Sequence, residues 1–286
     1  MAAFAAGNAS VQSTSLVMDI HELWMMRTGF ENDYLFHLVK AQTMNRYFIF
    51  LCYDGSRYHG WQKQPNGITI QQEIEKALSM LLRSDVEIVG AGRTDAGVHA
   101  RLMTAHFNTD ETINGPKLCY RLNRFLPGDI SIHRIEKVSS NLHARFSATS
   151  RTYHYYLHTT KNPFVDKYSW ETSFPLDFEK MNTAAQTLVK TSDFASFCKS
   201  GSDVKTTLCT VSEAGWHYMG NDSWFFRITA NRFLRNMVRS IVGTLIDVGR
   251  GRITIEQFNQ IVDSGRRTNA GESMPAHALF LEDIRY

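Results

Sequence analysis

The sequence predicts an α+β protein of two similar halves, and three observations predict it. Short runs rich in β-branched and aromatic residues mark strands, and apolar residues at helical spacing mark amphipathic helices between them. The strand, helix, strand order met after residue 46 is met again after residue 150. With 43% hydrophobic and 12% aromatic residues in 286, the chain can bury one large core or two small ones, which excludes disorder as its overall state.

Residues 1–43 begin rich in Ala, Ser and Asn and show no sustained periodicity, so they read as a poorly ordered N-terminal extension. Asp19, Glu22, Glu31 and Asp33 stand there against only Arg27 and Lys40, which argues against a mitochondrial presequence. Met44 directly precedes the first convincing strand and fits a start codon. Residues 47–53 (YFIFLCY) form that strand, ended by the turn residues Asp54-Gly55. Thr69 with Gln72 makes a capping box, and Ile70, Ile74, Ala77, Leu78, Leu81 and Leu82 predict a helix over 70–83 with one face on a sheet. Residues 86–89 and 103–108 read as strands flanking the loop Gly90-Ala91-Gly92-Arg93-Thr94-Asp95-Ala96-Gly97-Val98-His99-Ala100.

The second half has a strand over 153–158, a helix over 178–190 and a strand in which Trp224, Phe226 and Ile228 alternate. Apolar pairs recur each turn from Phe233/Leu234 to Leu245/Ile246, so a helix is expected over 233–248. Arg232, Arg235 and Arg239, three and four apart, should give it a basic face. Thr254 with Gln257 caps a last helix that Gly265 ends, and 278–284 closes the chain as a strand.

The formal charge is only +3, so a nucleic-acid surface has to come from local clustering of Arg and Lys. Cys52, Cys119, Cys198 and Cys209 form no C-x-x-C pair and no zinc pattern, and read as reduced thiols. No run of 18 apolar residues and no secretory signal is present, which makes a cytoplasmic protein without disulfides the expectation.

Within the 90–100 loop, glycines at 90, 92 and 97 let backbone approach a ligand, and Arg93 two positions from Asp95 is placed to pair with its carboxylate. An oriented anionic carboxylate serves as nucleophile or base; the plain alternative is a turn with Asp95 as its cap. Val98-His99 stands where a P-loop needs Lys-Ser/Thr, and the third glycine of a dinucleotide fingerprint is missing, so both nucleotide readings fail.

Asp54-Gly55, His59-Gly60-Trp61-Gln62 and above all Gly92-Arg93-Thr94-Asp95-Ala96-Gly97-Val98-His99-Ala100 resemble the TruA family of tRNA pseudouridine synthases. Residues 146–153 (FSATSRTY), 193–197 (DFASF) and 237–243 (MVRSIVG) continue the resemblance in the family's order, so that it covers roughly 46–286. It implies two ferredoxin-like, RRM-like halves, 45–149 and 150–286 behind an extension over 1–44, whose sheets join into one extended, mainly antiparallel platform. Helices would cover one face, with a central basic cleft. It further implies an enzyme that isomerises uridine to pseudouridine at positions 38, 39 and 40 of the anticodon stem-loop of tRNA. That enzyme would act as a homodimer, with no cofactor and no metal.

Carried over by motif, Asp95 corresponds to the family's catalytic aspartate, with Arg93 and Arg239 positioning it. Breaking the bond between N1 of uracil and C1′ of ribose leaves the sugar electron-deficient, so a carboxylate attacks C1′ or removes the C2′ proton. Two guanidiniums favour the ionised carboxylate that either route needs. Tyr153 corresponds to the tyrosine that stacks on the uracil; as a bare sequence feature it reads first as a strand aromatic beside Tyr155 and Tyr156, and the resemblance reverses that preference. Leu279 matches the apolar wall of the family's pocket, although Ala278 stands where the family has Gly. Arg151, Arg232 and Arg235 are expected to bind substrate, with Arg145, His154, Arg250 and Arg252 adding to a phosphate-binding surface. His59 and Trp61 are candidates for RNA contact, against the commoner outcome of a packed tryptophan.

Overall fold

The computed structural model describes residues 44–202 and 204–286, so the expected N-terminal extension lies outside the described residues. Asn45–Tyr286 forms one compact unit. Nine strands make a single sheet: β1 (Asn45–Tyr53), β2 (Val89–Gly90), β3 (His99–Thr109), β4 (Ile130–Val138), β5 (Ser150–His158), β6 (Trp170–Glu171), β7 (Val211–Gly220), β8 (Ser223–Ala230) and β9 (Leu279–Arg285). Among the described residues five α-helices accompany it: α1 (Ile70–Leu82), α2 (Gly115–Phe125), α3 (Phe178–Lys190), α4 (Met237–Gly249) and α5 (Ile255–Asp263). The strand order is β4-β1-β3-β9-β5-β8-β7, with β2 on β3 and β6 on β5. All pairings are antiparallel except β3 with β9 and β5 with β6.

The strands before and after residue 149 therefore share one sheet, and they meet at a narrow parallel seam. Only His99 and Ala100 of β3 pair with Phe280 and Leu281 of β9 there. Strand β5 takes the other side of β9, with Tyr153 opposite Leu281 and Tyr155 opposite Leu279. Side chains opposite one another share a face, so Tyr153, Tyr155, Leu279 and Leu281 line the same side of this central region.

Helix α1 starts at Thr69, whose hydroxyl accepts from the Gln72 amide, and buries Ile70, Ile74, Ala77 and Leu78. The strand expected over 86–89 pairs only from Val89 onward. Val86 and Ile88 are buried nonetheless, because the Ile88 N–H is taken by the Glu75 carboxylate at 3.1 Å instead of a neighbouring strand. Helix α5 carries the full Thr254/Gln257 capping box, and Gly265 follows it at φ 63°.

Helix α4 departs from the expectation. It begins at Met237, four residues later than the apolar periodicity indicates, because Asn236 sits in the left-handed region at φ 65° and breaks the run. Its amide donates to the Ser273 hydroxyl, which offsets part of the strain. From there Met237, Val238, Ile241, Val242 and Leu245 are buried, each stabilising by roughly 1.5–3 kcal/mol. Arg232 and Arg235 thus precede the helix instead of lying along it, and only Arg239 belongs to its first turn. No helix among the described residues is long and apolar enough to cross a membrane.

Candidate active site

Asp95 sits on the tight turn that leads into β3, where the Val98 N–H donates to the Asp95 carbonyl at 3.1 Å. The turn is held from below by the segment after β1. Trp61 N–H donates to the Thr94 carbonyl at 3.2 Å, Gly97 N–H to the Tyr58 carbonyl at 3.3 Å, and the buried Tyr53 and Thr94 hydroxyls meet at 2.8 Å. Gly60 allows this approach: it has φ 88°, and a Cβ there would lie 2.4 Å from the Thr94 carbonyl oxygen. Of the glycines expected to admit a ligand, Gly90 is covered by the Trp61 indole, Gly97 shapes the turn at φ 77°, and Gly92 faces open space.

One step further along, His99 ties the turn to the seam. Its buried ring accepts the Gly55 N–H at Nδ1 (3.0 Å) and donates from Nε2 to the His277 carbonyl (3.0 Å). Burial pushes its pKa below the ordinary histidine value. The neutral ring fits both bonds, so the 3.1 Å approach of the Asp54 carboxylate to Nδ1 is a contact beside that shared acceptor rather than an ion pair. Burial raises the Asp54 pKa, but hydrogen bonds from Lys167, Ser56 and Tyr168 outweigh it and hold the carboxyl well below the usual range.

The Asp95 carboxylate is 29% exposed and lies between two guanidiniums. Arg239 Nη1 is 3.7 Å from Oδ2, and Arg235 Nε is 3.9 Å from Oδ1. Both distances exceed a direct hydrogen bond, a looseness common in sites without substrate. Arg239 is fixed from behind: its Nε donates to the Met274 carbonyl while its own carbonyl accepts the Met274 N–H at 3.1 Å. Arg93 is exposed and makes no ion pair with Asp95 among the described residues. The partner expected two positions away is replaced by Arg235, which the break at Asn236 turns toward the carboxylate.

Tyr153 is 9% exposed, and its ring packs edge-on against Phe233 at 5.0 Å. Burial first, and then the Asp95 charge, push its pKa above the ordinary phenol value, so the hydroxyl stays protonated near neutrality. Tyr155, deeper on the same face, has a buried hydroxyl with no partner, and Arg239 lies close enough to influence it. Leu279 and Ala278 are both buried beside this group.

The remaining expectations divide. Arg151 is saturated by the backbone carbonyls of Ala91, Arg145, Ala148 and Asn231 at 2.6–3.0 Å, so its guanidinium staples chain segments together. Arg250 stacks on Phe174 at 3.6 Å and Arg252 pairs with Asp247 at 3.1 Å. Arg232 is half-buried just before α4. Trp61 is packed in the core, while His59 is exposed. Tyr53 and Thr94 support the turn and Met274 anchors Arg239, three roles the motifs do not announce. Tyr53 ends a strand like any aromatic, and Met274 acts through its backbone, so neither has a distinguishing sequence signal.

Comparison with known proteins shows what the chain as a whole is similar to. A family model described as tRNA pseudouridine synthase matches residues 50–147 and 184–286. The chain is 53% identical over 245 residues to a tRNA pseudouridine synthase A of Bacteroides thetaiotaomicron, covering 85% of this chain and 91% of that protein. It is 54% identical over 244 residues to one of Parabacteroides distasonis (85% and 96% covered), and 41% identical over 240 residues to one of Bacillus licheniformis (82% and 97%).

Proposed function

The chain belongs to the tRNA pseudouridine synthase family, and from that membership we propose how its residues perform the reaction. The enzyme is an isomerase that converts uridine in tRNA to pseudouridine. Its targets are positions 38, 39 and 40 of the anticodon stem-loop, read through the shape of the folded RNA more than through base sequence. A uridine stacked in a stem cannot reach Asp95. It is flipped out at a cost of a few kcal/mol, which stacking and phosphate contacts recover.

The observation that carries the proposal is Asp95 on a tight turn, partly open to solvent, with Arg235 and Arg239 within 4 Å and Tyr153 two strands across the sheet from β3, on β5. The carboxylate attacks C1′ or removes the C2′ proton as the bond to N1 breaks. Arg239 holds its orientation, and Arg235, 61% exposed, closes on it when RNA excludes water. The Tyr153 ring stacks on the detached uracil, which turns to present C5 to the sugar. Because its phenol stays protonated, Tyr153 moves the C5 proton by relay, its oxygen accepting that proton as its own O–H proton passes to water. Leu279 walls the pocket, while Arg93 and Arg232 contact phosphates.

At larger scale, the halves meeting at the β3/β9 seam act as two ferredoxin-like units, 45–149 and 150–286, flanking a basic cleft that receives the stem. Two copies form a homodimer in the cytoplasm, so that one tRNA spans both.

Tritium release from tRNA carrying [5-³H]uridine tests the reading, since reattachment at C5 expels that hydrogen. Release by the wild type and a loss of about 10²–10⁴-fold or more in Asp95→Asn is expected. Tight tRNA binding without release would reduce the protein to a binding module, and free uracil with an abasic site would make it a nucleosidase.

A further inference from the structure

A second cluster of chemistry-bearing side chains lies outside the site just described, at the end of β5. The parallel pairing of β5 with β6 sets His158 directly opposite Glu171. Between them the chain loops out over residues 159–169 and returns through a 3-10 turn at Asp166–Tyr168. One ligand atom each from His158, Asp166 and Glu171 lies within 4.8 Å of the others, and His158 Nε2 is 3.9 Å from a Glu171 oxygen.

His158 gives the cluster its meaning. The side chain is 1% exposed, Nδ1 meets the Ser169 hydroxyl at 2.9 Å, and Nε2 has no hydrogen-bond partner. A buried polar atom left unsatisfied is costly to the fold, so a partner for it is called for. In the tautomer whose Nδ1–H donates to Ser169, the Nε2 lone pair is left free beside the Glu171 carboxylate, 3.9 Å away. No Lys or Arg among the described residues comes within ion-pair reach of either carboxylate; Lys167, the cation in the turn itself, is spent on Asp54 at 2.7 Å.

We propose that His158, Asp166 and Glu171 bind one divalent transition cation of the zinc class, completed by water. Neutral imidazole with two carboxylates supplies the charge and ligand set such an ion takes, and an imidazole nitrogen selects against magnesium and calcium. The Ser169 bond is the outer-shell contact that fixes the ring and its tautomer in metal sites. Tetrahedral bonds of about 2.0–2.2 Å put ligand atoms about 3.4 Å apart, so modest rotation of the exposed Asp166 and Glu171 closes the site. The ion is structural. It pins the base of a loop whose Lys167 and Tyr168 grip the Asp54 carboxylate at 2.7 and 3.0 Å, beside His99 at the seam.

The full chain, free of any affinity tag and stripped with a chelator, is titrated with Zn²⁺ by calorimetry and with Co²⁺ by visible absorption. One saturable equivalent is expected, at least tenfold weaker in Asp166→Asn/Glu171→Gln and in His158→Gln. Amide hydrogen exchange over residues 159–171 should slow with Zn²⁺ in the wild type alone. Both carboxylates reach solvent, so the amide variants keep the fold, which circular dichroism and pseudouridine formation verify. No saturable binding, or equal binding by wild type and variants, overturns the site. An imidazole that titrates against Glu171 and ignores Zn²⁺ would make the cluster an ordinary ion pair and overturns it equally.

Discussion

Asp95 is flanked rather than gripped, with guanidiniums at 3.7 and 3.9 Å that differ in how firmly they are held. Arg239 is tied to Met274 at both its side chain and its backbone, so Arg239→Ala removes a charge-assisted hydrogen bond worth about 1.5–3 kcal/mol and frees the carboxylate. Urea unfolding should report that loss and kcat should fall with it. The exposed Arg235 contributes about 0–1 kcal/mol to stability, so Arg235→Ala should leave the unfolding midpoint nearly in place while weakening turnover. Tyr153→Phe keeps the ring and deletes the hydroxyl, so kcat should drop by about 10²-fold or more with tRNA affinity little changed. Tyr153→Ala should lose about 1–3 kcal/mol of binding as well, measured by filter binding. Asp95 and Tyr153 stood out through the motifs over 92–100 and 146–153, whereas the aromatic-rich strand by itself reads Tyr153 as a core residue. The exchange of Arg93 for Arg235 was not legible, since it depends on one left-handed residue, Asn236, whose conformation no local pattern announces.

Elements were read best where periodicity and a cap agree. Thr69 and Thr254 start their helices as expected, and the 178–190 helix runs over Phe178–Lys190. Helix α2 escaped, although Asn114 caps it, because only Leu118 and Leu122 are buried and the rest faces solvent. Strands β4 and β7 escaped because bulges break their alternation, between the partners of Phe50 and Leu51 and near Ser212. Helix α4 also packs unusually close to the segment that anchors Arg239. A Cβ on Gly243 would lie 1.9 Å from the Glu272 carbonyl oxygen. Gly243→Ala should therefore displace residues 271–274 at a cost of about 1–3 kcal/mol, and kcat should fall although the helix gains propensity. Parallel unfolding and kinetic measurements separate the two effects.

Across the whole molecule, buried histidines set the response to acid. Burial lowers the pKa of His99 and His143, and takes His106 and His154 down to about 4. Unfolding returns each to about 6.5, so the unfolded chain binds more protons between those values and stability is lost as pH falls from about 6.5 toward 4. The slope is up to about 1.4 kcal/mol per pH unit for each histidine. Asp54, with its pKa depressed, contributes stability above the ordinary carboxylate range and loses it only at still lower pH. Thermal midpoints between pH 7 and 4.5 should fall steeply, and His106→Gln should flatten the curve. The α+β class was readable at this scale from the repeated strand and helix order, whereas the parallel seam was not, because two register pairs leave no trace in composition. That seam also orders events during synthesis. Strand β9 occupies the middle of the sheet, yet the ribosome makes it after every other strand. Until residues 279–285 emerge, a nascent chain presents the inner edges of β3 and β5 unpaired, a template for aggregation that chaperones must shield. The Met274 carbonyl that anchors Arg239 and the Leu279 side chain also come late, so the group around Asp95 is complete only when the last residues of the chain are in place.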